Sequence, residues 1–145
     1  MTIRNFKPEV RTMAYFIKLY LAALVVFFAV DMVWLGVVAR NFYRQQLGYL
    51  LASSTNWMAA IIFYLLFILG LLVFVLLPGL KEGSLPITLL RAGLYGLITY
   101  ATYDLTNLAT LKDFPLLVAV VDMAWGTVLS LIVSLAGFFF GRWMG

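Results

Sequence analysis

Four long apolar stretches, separated by short polar segments, constrain this chain more than any other feature. They cover about residues 14–39, 56–77, 88–111 and 115–140, and each approaches or exceeds the roughly 20 residues needed to cross a hydrocarbon core about 30 Å thick. Only 11% of the residues are charged and 65% are hydrophobic, against roughly 25% charged in an ordinary soluble domain. A soluble fold of 145 residues has no means of hiding so much apolar surface. The expected fold class is therefore all-α: a polytopic membrane protein, a four-transmembrane-helix bundle forming a single membrane domain over residues 1–145.

The first stretch is interrupted only by Lys18 and Asp31. It exceeds the roughly 7–15 apolar residues of a cleaved signal, so it reads as a retained helix. Ser53, Ser54 and Thr55 offer hydroxyl caps ahead of the second helix, and Pro78 with Gly79 should close it. Pro115 suits the first turn of the fourth helix, where its missing N–H would be unpaired anyway. Phe42, Tyr43, Leu47, Tyr49 and Leu50 make the connection over 40–54 too apolar for a free loop. It predicts a short interfacial helix after helix one, lying on the outer leaflet. Lys112, Asp113 and Phe114 form so short a link that the third and fourth helices must be antiparallel neighbours.

Basic residues set the expected orientation. Arg4, Lys7, Arg11, Lys18, Lys81, Arg91 and Arg142 fall on one side, and Arg40, Arg44 and Lys112 on the other. Because Lys and Arg are preferentially retained in the cytoplasm, this bias places both termini there. Trp57 and Trp143 then fall at opposite interfaces as belt residues. With a net charge of +4 and its basic residues at helix ends, the chain has no nucleic-acid-binding surface to offer.

Cys and His are both absent, which excludes disulfides, thiolate nucleophiles, imidazole haem ligation and the usual zinc sites. No metal and no cofactor is expected, and any metal would have to take oxygen ligands. The side chain that most often does acid–base work at neutral pH is also missing, which weighs against an enzyme.

Attention therefore falls on the carboxylates inside the apolar spans: Asp31, Asp104 and Asp122. An ionised acid facing lipid costs several kcal/mol, so each should face the bundle interior or a wet cavity. Asp31 lies seven residues before Val38, Asp104 seven before Leu111, and Asp122 seven after Pro115. At 1.5 Å per residue, each carboxylate sits roughly 10 Å below the outer edge of the hydrocarbon, in one layer.

Asp31-Met32-Val33-Trp34 in helix one has a counterpart in Asp122-Met123-Ala124-Trp125 in helix four, and these helices run in opposite directions. An inverted repeat with polar groups meeting at depth is a transporter design, although a shared packing need would produce the same echo. The i, i+3 spacing sets Trp34 and Trp125 on the same faces as their acids. Their indoles could donate to carboxylates or lie as lids above and below a chamber. Helix three adds Tyr100, Tyr103, Asp104 and Asn107, with Asn107 placed to hydrogen-bond Asp104 or to share a ligand with it. Gly126, Ser130 and Ser134 repeat every four residues in helix four, a spacing that admits close helix packing. Helix two has no ionisable residue, reads as scaffold, and has Tyr64 as its mid-span polar group.

Asp31-Met32-Val33-Trp34-Leu35-Gly36, Tyr103-Asp104-Leu105-Thr106-Asn107 and Asp122-Met123-Ala124-Trp125-Gly126 together resemble a family of small bacterial inner-membrane proteins catalogued only as a domain of unknown function. The resemblance extends over nearly the whole chain. It implies four helices and a bacterial inner-membrane location, and brings no activity and no site residues.

Three functions fit these residues. The first is a small proton- or cation-linked carrier with a shared intramembrane site on which Asp31, Asp104 and Asp122 converge, so that the three acids titrate as a coupled set. Small multidrug carriers offer an analogy in architecture, without shared sequence. The second is a membrane-embedded lipid-binding or lipid-modifying enzyme, with Tyr100 or Tyr103 assisting the acids and oxygen ligands available for Mg²⁺. The third is an assembly partner of another membrane protein. The partners these readings call for are membrane lipid, a proton, a small cation or a lipid ligand, and further copies of the chain.

Overall fold

The computed structural model describes residues 12–145, and every regular element in them is helical. Thr12 caps α1 (Met13–Val33) by accepting the Tyr15 N–H at 3.2 Å, and a π-helical turn (Trp34–Val38) carries the helix on. After Ala39 the chain bends into α2 (Arg40–Leu47). The next long rod comprises α3 (Trp57–Leu71), a second π-helical turn (Leu72–Leu76) and α4 (Leu77–Glu82). Finally, α5 (Leu85–Thr110) and α6 (Leu116–Met144) form an antiparallel hairpin.

Several helix ends differ from the expected ones for identifiable reasons. Asn56, not the Ser-Ser-Thr run, caps α3 by accepting the Ala59 N–H at 3.2 Å. Pro78 and Gly79 do not end the second rod. Pro78 lacks an N–H and would crowd the carbonyl four residues back, and the widened π turn immediately before it relieves that conflict without breaking the rod. The helix stops at Gly83, whose φ of 68° suits a residue without Cβ and whose N–H reaches the Gly79 carbonyl at 2.9 Å. Ser84 then caps α5, with Pro86 in its first turn, so this helix starts earlier than expected. Pro115 is the N-cap residue of α6, with extended ψ, and lies outside the first turn.

Three rods, Met13–Val38, Trp57–Glu82 and Leu116–Met144, are long and apolar enough to cross a membrane. The fourth, α5, has 26 residues but a more polar face. Four of its threonine hydroxyls are satisfied within the helix: Thr99, Thr102 and Thr110 donate to the carbonyls of Tyr95, Ile98 and Thr106 at 2.7 Å, and Thr106 to that of Thr102.

The interior is organised by stripes of every fourth residue. On α1 the buried residues are Tyr15, Leu19, Ala23, Phe27 and Asp31. On α5, Thr88, Ala92, Gly96 and Asp104 are buried, and Tyr100 continues the same row. On α6 the row is Val118, Asp122, Gly126, Ser130, Ser134 and Phe138. Such rows are the ridges that interdigitate when helices pack, and each places its aspartate near the end of the bundle that holds α2. There, Phe42, Tyr43 and Leu47 of α2 pack on Phe114, Val118 and Ala119, and Tyr49 donates to the Asp113 carbonyl. The apolar 40–54 connection is thus partly helical, with Phe42, Tyr43 and Leu47 on the bundle and Leu50 and Leu51 exposed.

The backbones of α5 and α6 approach closely. A Cβ on Gly96 would stand 2.2 Å from the Gly126 carbonyl oxygen, and one on Gly126 would stand 2.2 Å from the Tyr100 ring. The four-residue repeat of small residues on α6 therefore serves packing. Gly96→Val is expected to lower stability in detergent by about 1–3 kcal/mol. Gly36→Ala, where nothing lies within 4 Å, should stay within about 0.5 kcal/mol. Thermal unfolding of the two variants checks this, and equal melting would contradict the close approach.

Candidate functional site

The stripes deliver Asp31 from α1 and Asp122 from α6 to one cavity of about 440 Å³. Leu35, Tyr43, Phe63, Tyr64, Tyr100 and Trp125 supply much of its wall. Asp31 is only 4% exposed and accepts the Trp125 indole N–H at 3.2 Å. Tyr43 reaches in from α2: its hydroxyl donates to Asp122 Oδ1 and accepts the Trp34 indole N–H at 3.2 Å. Burial first, and then the hydrogen bond to Asp122, pushes the Tyr43 phenol above its ordinary range. It therefore remains a proton donor to that carboxyl across the physiological range.

The two Asp-Met-x-Trp segments meet in a crossed manner. Trp125, which follows Asp122, serves Asp31, while Trp34, which follows Asp31, serves Asp122 through Tyr43. The indoles are stacked at 4.2 Å with their planes 7° apart, so they are not lids above and below a chamber. The reason is directional. Side chains on a helix lean toward its N-terminus, and on antiparallel helices that lean carries Trp34 and Trp125 toward each other.

Asp104 is fully buried beside Asp122. No donor among the described residues, Asn107 included, reaches either of its oxygens, so of the two roles open to Asn107 the hydrogen bond to Asp104 is not formed. Two carboxyl groups in contact can hydrogen-bond only when at least one carries a proton. The acids thus divide into a contacting pair, Asp104 with Asp122, and Asp31 at another part of the cavity wall. They do not form a group able to hold a metal ion among the described residues. An ion pair of Arg91 with Glu82 at 2.9 Å lies at the other end of α5.

Tyr100 lines the cavity as a stripe residue, whereas Tyr103 is 60% exposed and stands at the cavity edge. Two contributors were missed by the sequence reading. Tyr43 was assigned only to an apolar segment, and Tyr64 to a scaffold helix, yet Tyr64 lines the cavity close to Asp31. A lone mid-span tyrosine in an otherwise apolar helix was the available signal for Tyr64.

Fold and site together define a helical membrane protein that keeps carboxyl and aromatic side chains around a cavity open along one edge. The chain belongs to the DUF2177 family, described as predicted membrane protein, which matches it over residues 16–139. This bears out the resemblance to a domain of unknown function carried by the Asp-Met-x-Trp segments. No curated protein and no solved structure matches the chain.

Stacked indoles couple their electronic transitions. An exciton couplet in ultraviolet circular dichroism is expected, lost alike in Trp34→Phe and Trp125→Phe and kept in variants of the exposed Trp57 and Trp143. Tyr43→Phe should cost about 1.5–3 kcal/mol in thermal unfolding, the range for a hydrogen bond to a charged partner. A couplet that survives both tryptophan replacements would contradict the stack.

Proposed function

We propose that this protein is a small proton- or cation-linked carrier whose transported solute enters the cavity beside Asp31 and Asp122. The observation that carries this reading is the buried Asp104–Asp122 contact. No Lys or Arg among the described residues stands beside it, so the pair is suited to hold one proton between two carboxyls and to release it when a cation arrives. The crossed Asp-Met-x-Trp arrangement supports the inverted-repeat reading, in which two antiparallel helices present related faces to one midplane site.

In this reading four helices cross a bacterial inner membrane. The length of α5 is about 39 Å at 1.5 Å per residue, more than a hydrocarbon core of about 30 Å. Its back-bonded threonines remove the penalty of hydroxyls facing lipid. A crossing α5 also connects the ends of the α3–α4 rod and α6 with short links, and α2 then lies at the outer interface with Arg40 and Arg44 exposed. Both termini lie in the cytoplasm by the charge bias; its N-terminal part, Arg4, Lys7 and Arg11, lies outside the described residues.

One observation favours a second reading, a lipid-binding or lipid-modifying protein. The cavity edge is formed by the exposed apolar side chains Leu35 and Phe63 together with Tyr103, which would admit an acyl chain from the side.

Infrared titration of the carboxyl bands distinguishes these readings. Asp104→Asn should change the titration of Asp122 markedly, because Asp122 loses the group with which it shares a proton, and Asp31→Asn should change it less. Independent titration of Asp104 and Asp122 would remove the basis of the carrier. For topology, Ile3→Cys and Met144→Cys should both resist a membrane-impermeant thiol reagent applied from the periplasm. Labelling at either position would overturn the orientation.

A further inference from the structure

The cavity contains an acid that the proton-sharing pair does not use. Asp122 is engaged by Tyr43 and lies against Asp104, whereas Asp31 faces the same cavity from α1 with the Trp125 indole as its donor. No Lys or Arg lines that cavity. A buried carboxylate without a counter-charge is unfavourable in a lipid-surrounded interior, so the charge must be supplied by a proton or by a ligand.

The wall around Asp31 narrows the choice of ligand. Phe63, Tyr64, Tyr100, Tyr103 and Trp125 contribute aromatic rings, whose faces attract weakly hydrated cations such as alkylammonium groups. Na⁺ or Mg²⁺ would need several converging oxygen ligands, and no acidic cluster able to hold a metal exists among the described residues. At about 440 Å³ the space lies within the roughly 300–1,000 Å³ of small-molecule sites and is far larger than the roughly 30 Å³ share of one water. Its edge is apolar, with Leu35 39% and Phe63 46% exposed. An apolar substituent can therefore pass from the surroundings between α1 and α3 without crossing a polar barrier.

We propose that Asp31 is the counter-ion for a monovalent organic ammonium ion bearing an apolar substituent, held by the surrounding aromatic rings and admitted sideways between α1 and α3. This rests on the carrier reading of the same cavity and adds the class of solute. Asp31 and the rings hold the cation, and Asp104 with Asp122 holds the exchanged proton.

The test uses the full chain in lipid nanodiscs, with benzyltrimethylammonium as probe and neopentylbenzene, its uncharged isostere, as control; binding is followed by tryptophan fluorescence and calorimetry. The ammonium ion should bind saturably and the isostere should not. Asp31→Asn, which keeps an oxygen for the Trp125 N–H, should weaken binding roughly tenfold or more, and Tyr64→Leu several-fold. The Trp34–Trp125 exciton couplet reports whether each variant retains the fold, and Tyr64→Leu carries the test if Asp31→Asn does not.

Equal binding of the isostere, or ammonium binding indifferent to Asp31→Asn with the couplet intact, would overturn the proposal. So would the lack of saturable binding to the unaltered protein. If that lack accompanies a coupled Asp104–Asp122 titration, the solute class fails and the proton-sharing carrier stands. If ammonium binds while the two acids titrate independently, the proton coupling fails and the ammonium site stands.

Discussion

The close approach of α5 and α6 is the contact on which the rest of the arrangement depends. With no Cβ at Gly96 or Gly126, one backbone comes within van der Waals reach of the other and Tyr100 lies over Gly126. Asp104 and Asp122 belong to the same two rows as these glycines, two turns beyond Gly96 and one turn before Gly126. Running in opposite directions, the rows carry both acids to the same end of the pair. The small side chains that permit dense packing at one level thus dictate acid contact at the next. A wider separation of the helices would leave each acid to find its own partner.

The second organising element is the exchange of tryptophans between α1 and α6. Each indole leaves its own helix, stacks on the other, and directs its N–H to a group bound to the opposite segment. Buried polar groups away from water require partners, and the exchange satisfies Asp31 directly and Asp122 through Tyr43. This ties α2 to the site: its bundle-facing side packs against the start of α6, and its tyrosine completes the chain from Trp34 to Asp122. The cavity lies where the α2-proximal half of α3, largely exposed from Trp57 to Leu66, leaves space between Tyr64 and the rows of α1 and α5. Beyond the cavity, Phe27 and Phe67 stand 5.4 Å apart and Tyr95 donates to the Phe67 carbonyl at 2.8 Å.

Much of the fold was legible in the chain because its causes are local. Long apolar runs, the short Lys112-Asp113-Phe114 link and the apolar side chains of 40–54 follow from length, composition and spacing. Asp113 adopts a φ of 60° in that link, a conformation an aspartate tolerates better than most residues. The ends of the second rod were less legible, because Pro78 is a stop signal only if the preceding turn remains α-helical. A π turn over Leu72–Leu76 lets the rod continue to Gly83, and nothing in the apolar run around it marks that turn.

From the sequence alone came the all-helical membrane character, the expectation that Asp31, Asp104 and Asp122 face inward at one depth, and the likeness of the two Asp-Met-x-Trp segments. Helical periodicity and the cost of placing a charge in lipid act on each helix separately, and so can be read one helix at a time. Which acid touches which, the stacking of Trp34 on Trp125, the entry of Tyr43 and the place of Tyr64 were decided by the tertiary structure. Those depend on how near two backbones approach and which way side chains lean across the gap, and neither quantity exists until the helices are packed.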